Sequence, residues 1–159
     1  MIQKKKQYLG RKEAMQKAAN FCVYQERTQS EVKEKLIYEF GQTNDEADEI
    51  IAHLIEKDFI NEERFAKALA GGKFRIKKWG RIKVEAELRS RGLSDYCIKQ
   101  GMKEINDTDY YATLLNLLEK KKKEIIAKTD YELNQKLARY AIGKGYEGEL
   151  VWQILKEIQ

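Results

Sequence analysis

An internal repeat constrains the fold of this chain more than any other feature of the sequence. When the sequence is shifted by 53 residues without a gap, Gly92 falls on Gly145, and the apolar positions around it fall on apolar positions. The first third of the chain follows the same pattern with a slightly different offset, which places a longer joint near Gly41. Repetition at this spacing is typical of chains built from short tandem units that pack on their neighbours.

The repeating unit is predicted to be helical. Apolar residues recur every three to four positions, as in Val32, Leu36 and Phe40, and the 159 residues include no proline. We therefore predict an all-α fold of three tandem three-helix repeats that form an elongated, curved array. The predicted helices span residues 12–27, 29–40, 44–57, 62–77, 81–91, 95–105, 108–126, 130–143 and 147–158. The predicted organisation is a basic N-terminal tail over residues 1–11 and repeats over 12–60, 61–106 and 107–159.

Capping signals mark the predicted helix ends. Three Thr-x-x-Glu pairs predict capping boxes, in which the hydroxyl group accepts from a backbone N–H and the glutamate accepts from the cap residue. They are Thr28 with Glu31, Thr43 with Glu46, and Thr129 with Glu132. Asn61, Ser94 and Asp107 are predicted as simple N-caps, and Gly92 and Gly145 as the glycines that follow a helix end.

Charge is distributed unevenly along the chain. The whole sequence has a net charge of +5, but residues 44–63 carry −7 and residues 73–91 carry +6, with histidine counted as neutral. Further basic runs lie at residues 120–123 and 4–6. Clustered bases suit the phosphates of nucleic acid, whereas a charge run on its own is also typical of a solvated helix face.

The charged segments supply the candidate binding residues. The candidates for contact with nucleic acid are Lys73, Arg75, Lys77, Lys78, Arg81, Lys83, Arg89, Arg91, Lys120, Lys121, Lys122 and Lys123. The candidates for docking onto a protein are Asp45, Asp48, Glu49, Glu62 and Glu63. The acidic segment is either such a docking surface or an intramolecular counterweight that limits DNA affinity. Phe74 and Trp79 lie among the bases and suit stacking and packing equally.

The sequence offers little for catalysis or for binding a cofactor. His53 is the only histidine, and it lies in an apolar stretch with no nucleophile suggested nearby. Neither a Walker-type phosphate loop nor a dinucleotide-binding glycine motif is present. The two cysteines, Cys22 and Cys97, lack metal-binding spacing and are predicted to be core residues. We therefore predict a protein that is not an enzyme and needs neither a cofactor nor a metal.

The sequence also favours a soluble protein of the cytoplasm. The bases near the N-terminus are not followed by the apolar core of a secretory signal. No apolar run approaches the ~20 residues of a membrane-spanning helix. The two cysteines show no pattern of a disulfide framework, which fits a reducing compartment.

Three groups of residues occur in an order that is typical of a known family. They are residues 54–66, then Gly80, Val84, Glu87, Leu88, Arg91, Gly92 and Leu93, and finally residues 136–140 with Lys144, Gly145 and Tyr146. Over residues 15–158 this combination resembles the bacterial RecX family of recombination regulators. The resemblance implies three three-helix repeats that bind the RecA recombinase filament. It also implies suppression of the ATPase, coprotease and strand-exchange activities of RecA, from the filament groove or by blocking growth at an end.

The charge pattern and the resemblance together favour a non-enzymatic regulator, and the resemblance implies a role in DNA repair, recombination and the SOS response. We expect its partners to be the RecA recombinase and its nucleoprotein filament, with weak binding to single- or double-stranded DNA, and we expect a monomer. Two other classes stay open. A free-standing nucleic-acid-binding module would bind DNA tightly without a protein partner. A helical scaffold that binds only proteins would tolerate neutralisation of its basic segment.

Overall fold

The described part of the chain is helical throughout. The computed structural model describes residues 8–158, and within that range it contains nine α-helices and no strand. The helices are α1 (Arg11–Tyr24), α2 (Gln29–Tyr38), α3 (Asn44–Glu56), α4 (Glu62–Arg75), α5 (Arg81–Ser90), α6 (Asp95–Met102), α7 (Asp107–Glu124), α8 (Asp130–Gly143) and α9 (Gly148–Glu157). The all-α prediction is confirmed, and each predicted helix has a counterpart whose ends agree to within a few residues.

Side-chain caps begin several helices where the sequence predicts them. The hydroxyl groups of Thr28 and Thr43 each accept a hydrogen bond from the backbone N–H of the glutamate three residues on, and each glutamate accepts from the cap residue in return. Asn61 and Ser94 accept from the backbone three residues on at 3.0 Å and 3.2 Å. Both of these capping boxes and both simple caps are confirmed.

Two predicted helix starts differ in detail from the structure. Thr129 accepts from the backbone N–H of Glu132 at 3.1 Å, but the Glu132 carboxylate accepts from the backbone of Lys128 rather than from the cap residue. The N-cap of α7 is Asn106, whose side chain accepts from the backbone three residues on at 2.8 Å, and not Asp107. Because asparagine and aspartate are equivalent cap acceptors, neighbouring candidates of this kind cannot be separated by residue type.

The described chain forms two compact units that divide between Phe65 and Ala66, within α4. The first unit contains α1 to α3, and its core is formed where Ala14 and Ala18 of α1 pack with apolar residues of α2 and α3. The bounds of the three predicted repeats and of the basic tail stay predictions. Arg11 is the first residue of α1, and residues 4–6 lie outside the described part of the chain.

The second unit contains a row of three buried aromatic rings. The centroids of Phe74 and Tyr110 are 5.9 Å apart, and those of Tyr110 and Tyr146 are 5.0 Å apart. All three side chains are buried. Aromatic pairs in such arrangements contribute ~0.5–1.5 kcal/mol beyond the area that they bury. The packing interpretation of Phe74 is therefore correct, and its ring is not available to stack on a nucleotide base.

Gly92 and Gly145 end α5 and α8 in the same way. Each follows a C-cap residue in the right-handed region, and their φ angles are 73° and 99°. Each also donates its N–H to the carbonyl three residues back at 3.0 Å. Glycine takes positive φ without the penalty of a Cβ atom. The two predicted glycine turns are confirmed.

The apolar spacing predicts that Leu88, Ile98 and Met102 form the inner face of the middle repeat, and the structure differs from this prediction at one position. Leu88 and Ile98 are buried as predicted, but Met102 is only half-buried. The residue that faces α4 is Gly101, where an added Cβ atom would lie 2.9 Å from the Cβ of Ala66. Because the α6 backbone approaches α4 this closely at Gly101, Met102 is displaced from the inner face.

The two cysteines lie in different environments. Cys22 is buried in the first unit, and burial raises the pKa of its thiol to about 11. Cys97 on α6 is half-buried. The predicted core position is confirmed for Cys22 but is only partly correct for Cys97, because its neighbour Ile98 takes the inward face and adjacent helix positions diverge by about 100°.

Candidate nucleic-acid interface

Two basic segments that are far apart in the sequence meet at one groove of the second unit. Lys78, between α4 and α5, and Lys120 and Lys123, near the end of α7, line a cavity of about 400 Å³. The other lining residues all belong to α7, and they are Thr113, Asn116, Leu117 and Glu119. We call this feature the α7 groove. It contains members of two basic segments, residues 73–91 and 120–123, that are separate candidates in the sequence.

The lysines of the α7 groove keep their charges available for a partner. Lys78, Lys120 and Lys123 are exposed, and none of them makes an ion pair within the described residues. Glu119 is the one carboxylate among the lining residues. Ammonium groups bind phosphate as compact point charges, so this groove suits an anion.

The backbone of Lys78 is held in an unusual conformation. Its φ angle is 60°, in the left-handed region that residues other than glycine and asparagine seldom adopt. The Lys78 N–H donates to the carbonyl of Phe74 at 3.0 Å, and the Lys78 carbonyl accepts from the hydroxyl group of Tyr146 at 2.8 Å. Strained backbone of this kind persists only where surrounding contacts fix it. These contacts therefore determine the position from which the Lys78 side chain enters the groove.

Two glycines allow the turn after α4 to approach the turn after α8. The Gly80 N–H donates to the carbonyl of Lys144 at 2.8 Å, and the Ile82 N–H donates to the carbonyl of Gly145 at 3.0 Å. A Cβ atom on Gly80 would collide with the backbone of Gly145, and one on Gly145 would collide with Lys83. The approach therefore requires glycine at both positions.

Arg81 forms its main contacts within the chain. Its guanidinium group donates to the Asp107 carboxylate at 2.6 Å and to the carbonyl of Ile105 at 3.1 Å, and it lies 4.2 Å from the ring centroid of Tyr110. The Arg81 N–H donates to the Tyr110 hydroxyl group, which in turn donates to Glu147 at 2.6 Å. Burial, with this hydrogen bond, raises the pKa of Tyr110 well above its usual value. Arg81 therefore connects α5 to α7 and is not a freely available phosphate ligand.

Trp79 lies beside two of the candidate lysines. The Nζ atoms of Lys73 and Lys83 are 4.6 Å and 4.3 Å from the centroid of its half-buried ring. Each such cation–π contact contributes ~0.5–1 kcal/mol at an exposed site. A base that stacked on a covered face of Trp79 would have to displace an ammonium group.

The other arginines of the basic segment are engaged by carboxylates. The pairs are Arg75 with Glu104 at 3.4 Å, Arg89 with Asp95 at 3.1 Å and Glu85 at 3.3 Å, and Arg91 with Glu87 at 3.0 Å. The hydrogen bond with Asp95 is the main cause that raises the pKa of Arg89. Exposed pairs contribute little to stability, but they offset the positive charge that these arginines present.

The lysines at residues 120–123 point in different directions. Lys120 and Lys123 line the α7 groove, whereas Lys121 pairs with Glu124 at 3.3 Å and lies 4.7 Å from the ring centroid of Tyr140 on α8. Lys122 lies beside the joint between α7 and α8. This divergence follows from the rotation of about 100° per helical residue. Lys77, in the other basic segment, is exposed.

Two of the acidic candidates are neutralised within the first unit. Asp48 pairs with Lys33 at 2.9 Å, and Glu49 pairs with Arg11 at 2.7 Å. Asp45 is exposed. These contacts support the intramolecular interpretation for Asp48 and Glu49.

Glu62 and Glu63 differ from the other acidic candidates in their burial. Both are half-buried at the start of α4. Glu62 accepts from the backbone N–H of Gln29 at 3.4 Å, and burial raises the pKa of its carboxyl group. The five acids therefore do not form one uniformly exposed docking surface.

Four lining residues of the α7 groove were not singled out in the sequence. They are Thr113, Asn116, Leu117 and Glu119. A signal for three of them exists, because Thr113, Asn116 and Leu117 precede Lys120 at helical spacing and therefore share its face. Nothing in the local sequence indicates that Lys78 lies beside that face.

Neither a metal-binding cluster nor a membrane-spanning helix is found among the described residues. Among residues 8–158, no group of histidine, cysteine, aspartate and glutamate side chains is arranged to hold a metal ion. No helix over the same range is both long enough and apolar enough to cross a membrane.

Two family models match consecutive parts of the chain. The model of the RecX second three-helix domain matches residues 61–102, and that of the RecX third three-helix domain matches residues 107–155. Together the two matches cover more than half of the chain. Every lining residue of the α7 groove falls within one of them.

The chain is similar to curated proteins named regulatory protein RecX. The relative from Bacillus cereus (strain B4264) is 26% identical over 143 residues, which cover 89% of this chain and 52% of the relative. The relative from Clostridium acetobutylicum is 28% identical over 150 residues, which cover 91% of this chain and 68% of the relative. The chain thus spans about half the length of the Bacillus cereus relatives that it matches.

Two solved structures have the same fold. The crystal structure of RecX from Lactobacillus salivarius matches with a TM-score of 0.80 at 22% identity, over 92% of this chain and 95% of that chain. A crystal structure of regulatory protein RecX also matches with a TM-score of 0.80, at 18% identity, over 92% of this chain and 73% of that chain. At these identities the likeness shows the fold alone.

Proposed function

Since the chain belongs to the RecX family, we propose that it regulates the RecA recombinase, mainly by inhibition. The observation that carries this proposal is the pair of consecutive family matches, which together contain the whole α7 groove. The proposed partner is RecA or its nucleoprotein filament. The proposed effects are lower ATPase, strand-exchange and coprotease activities during DNA repair and recombination.

Inhibition of this kind needs no catalytic residue. A protein that occupies the surface used by incoming DNA, or by the next recombinase subunit, blocks that step by exclusion. The available lysines of the α7 groove support such a role, because a nucleoprotein filament presents phosphates together with protein charges, and complementary charge guides encounter and orientation. We therefore propose a non-enzymatic regulator that acts in the cytoplasm as a monomer.

A comparison of three ligands tests the proposal. The affinity of the protein is measured for naked single-stranded DNA, for RecA alone and for the RecA–DNA filament, and we expect the filament to bind most tightly. Tight binding to naked DNA with no gain from RecA would instead identify a free-standing nucleic-acid-binding module. Equal binding to RecA with and without DNA would identify a scaffold that binds only proteins.

A groove variant tests whether the α7 groove takes part. In the triple variant Lys78→Gln, Lys120→Gln and Lys123→Gln, we expect unchanged circular dichroism, because exposed charges contribute little to stability. We expect weaker inhibition of the RecA ATPase. On single-stranded DNA, we expect the slope of log affinity against log salt to become shallower by about 0.7 for each phosphate contact that the variant loses.

The control variant removes the same charge from other exposed positions. Lys99→Gln, Lys128→Gln and Lys156→Gln change lysines of the second unit that lie outside the α7 groove. We expect this variant to inhibit RecA as the parent does. A groove variant that inhibits RecA as well as the parent at every salt concentration would place the contact elsewhere.

A further inference from the structure

We propose that the α7 groove binds one unstacked nucleotide of single-stranded DNA, with a phosphate on its lysines and the base against Leu117. This proposal deepens the proposed function by naming the ligand of the α7 groove. It rests on the proposed function only in that both use this groove as a binding site. It assigns a ligand to the uncharged residues of α7 that line the groove.

The size of the groove fits a single nucleotide. Its volume of about 400 Å³ is near the lower end of the ~300–1,000 Å³ range of pockets for small molecules. In a duplex, the faces of the bases are covered by their neighbours, so only an unstacked base can place its face against a side chain. The groove therefore favours a single strand over a duplex.

The α7 face supplies the contacts that a base requires. Thr113, Asn116 and Leu117 follow one another at helical spacing, so they form one continuous face. The half-buried side chain of Leu117 offers an apolar surface for the face of the base. The hydroxyl group of Thr113 and the amide of Asn116 can donate to and accept from its edge.

The charges of the groove determine where the phosphate lies. Lys78, Lys120 and Lys123 come from two different elements and are free of ion pairs within the described residues. Glu119 repels a phosphate, so the phosphate lies at the lysines and the base lies toward the carboxylate. A carboxylate accepts a hydrogen bond from the amino group of cytosine, which thymine lacks. An acidic peptide has no such donor in its side chains, so the groove suits a nucleotide better.

Oligonucleotide binding in the absence of RecA tests this assignment. Fluorescence anisotropy at low salt compares labelled oligo(dC), oligo(dT), an abasic strand of the same length and a duplex. For the parent protein we expect oligo(dC) to bind most tightly. We expect the abasic strand to bind about fivefold more weakly than oligo(dC), which is the effect of losing one partly buried apolar contact.

The variant Leu117→Ala tests the contact with the base directly. We expect it to weaken oligo(dC) binding about fivefold while leaving abasic binding unchanged, so that the difference between the two strands disappears. The matched control is Leu115→Ala, since Leu115 is also half-buried on α7 but does not line the groove. That control should keep the parental difference, and thermal melting verifies that both variants are folded.

Several results would overturn the assignment. An abasic penalty that is equal in the parent and in Leu117→Ala would show that no base contacts Leu117. Duplex binding as tight as oligo(dC) binding would exclude an unstacked nucleotide, and competition by polyglutamate as effective as that by oligo(dC) would indicate an acidic-peptide site. Because these measurements contain no RecA, such results would leave the proposed regulation intact. That proposal fails separately, if the filament binds no more tightly than naked DNA.

Discussion

The backbone N–H of Gly80 donates to the carbonyl of Lys144 at 2.8 Å, so the turns after α4 and α8 are joined main chain to main chain. A second hydrogen bond runs from the Ile82 N–H to the carbonyl of Gly145. The hydroxyl group of Tyr146 adds a third when it donates to the carbonyl of Lys78. The position of one groove lysine therefore depends on a turn that contributes no side chain to the groove lining.

The variant Gly80→Ala should destabilise the protein by about 1–3 kcal/mol, the usual cost of forcing extra atoms into a packed site. The added methyl group would collide with the backbone of Gly145. Urea denaturation measures the loss. In the control Gly143→Ala, no atom beyond its own stretch of helix lies within 4 Å of the added methyl group. We therefore expect this variant to be stabilised by up to ~1 kcal/mol, because alanine has the higher helix propensity. Parental stability in Gly80→Ala would contradict the close approach.

The variant Lys78→Gly should weaken DNA binding without lowering the melting temperature. Glycine relieves the left-handed strain at this position, which offsets the entropy that it adds to the unfolded chain. Differential scanning calorimetry and anisotropy on single-stranded DNA measure the two effects. A marked fall in melting temperature would show that the side chain of Lys78 stabilises the fold.

Asp58→Gly is the matched comparison for Lys78→Gly. Asp58 also has a left-handed backbone, with a φ angle of 63°, but its carboxylate accepts from Arg64 at 3.0 Å and from the Asn61 side chain at 3.2 Å. Asp58→Gly should therefore lower the free energy of unfolding by up to ~1 kcal/mol relative to Lys78→Gly, which is the usual contribution of an exposed ion pair. Equal melting temperatures of the two variants would show that this ion pair contributes nothing.

The variant Leu88→Ala should lower the free energy of unfolding by about 2–5 kcal/mol, because it leaves a cavity at a fully buried position. Ile82→Ala on the same helix is the control, since 57% of that side chain is exposed, and we expect a change of about 0.5 kcal/mol or less. Urea denaturation measures both. Similar losses in the two variants would contradict the assignment of the inner face of α5.

The thiols of Cys22 and Cys97 should react at different rates. Burial raises the pKa of Cys22 to about 11 from 9.0, so its reactive thiolate is scarce at pH 8. Iodoacetamide should label Cys97 first, as mass spectrometry can determine. Because the folded state favours the protonated Cys22 thiol, this preference adds to the free energy of unfolding below about pH 9. The added stability is lost as the pH rises toward 11. Equal labelling rates would contradict the burial of Cys22.

The helices are predictable from the sequence because their signals are local. Thr28 and Thr43 each carry a capping glutamate three residues on, and Gly92 and Gly145 each follow the end of a helix. The errors are also local, as where Asn106 rather than the neighbouring Asp107 caps α7. Met102 is an exception, because the close approach of its neighbour to another helix carries no signal in α6 itself.

The candidate site is only partly predictable, because it depends on contacts between distant residues. Helical spacing places Leu117 beside Lys120, but only the folded chain brings Lys78 to them. The sequence also does not show which basic residues are engaged within the fold. Arg81 holds α5 against α7, whereas the charge of Lys78 is available. The ion pair between Arg91 and Glu87 is predictable, because the two residues are four positions apart on one helix.

The hydrogen bond from Tyr146 to Lys78 spans 68 positions of the chain, and this distance has a consequence for protein synthesis. As the chain leaves the ribosome, all three lysines of the α7 groove emerge before Tyr146 does. Until Tyr146 emerges, the turn at Lys78 lacks its hydroxyl partner. A product that terminates within α8 would therefore retain every charge of the groove but lack the contact that directs one of them. Nonsense mutations downstream of the groove can thus remove its geometry while leaving its composition intact.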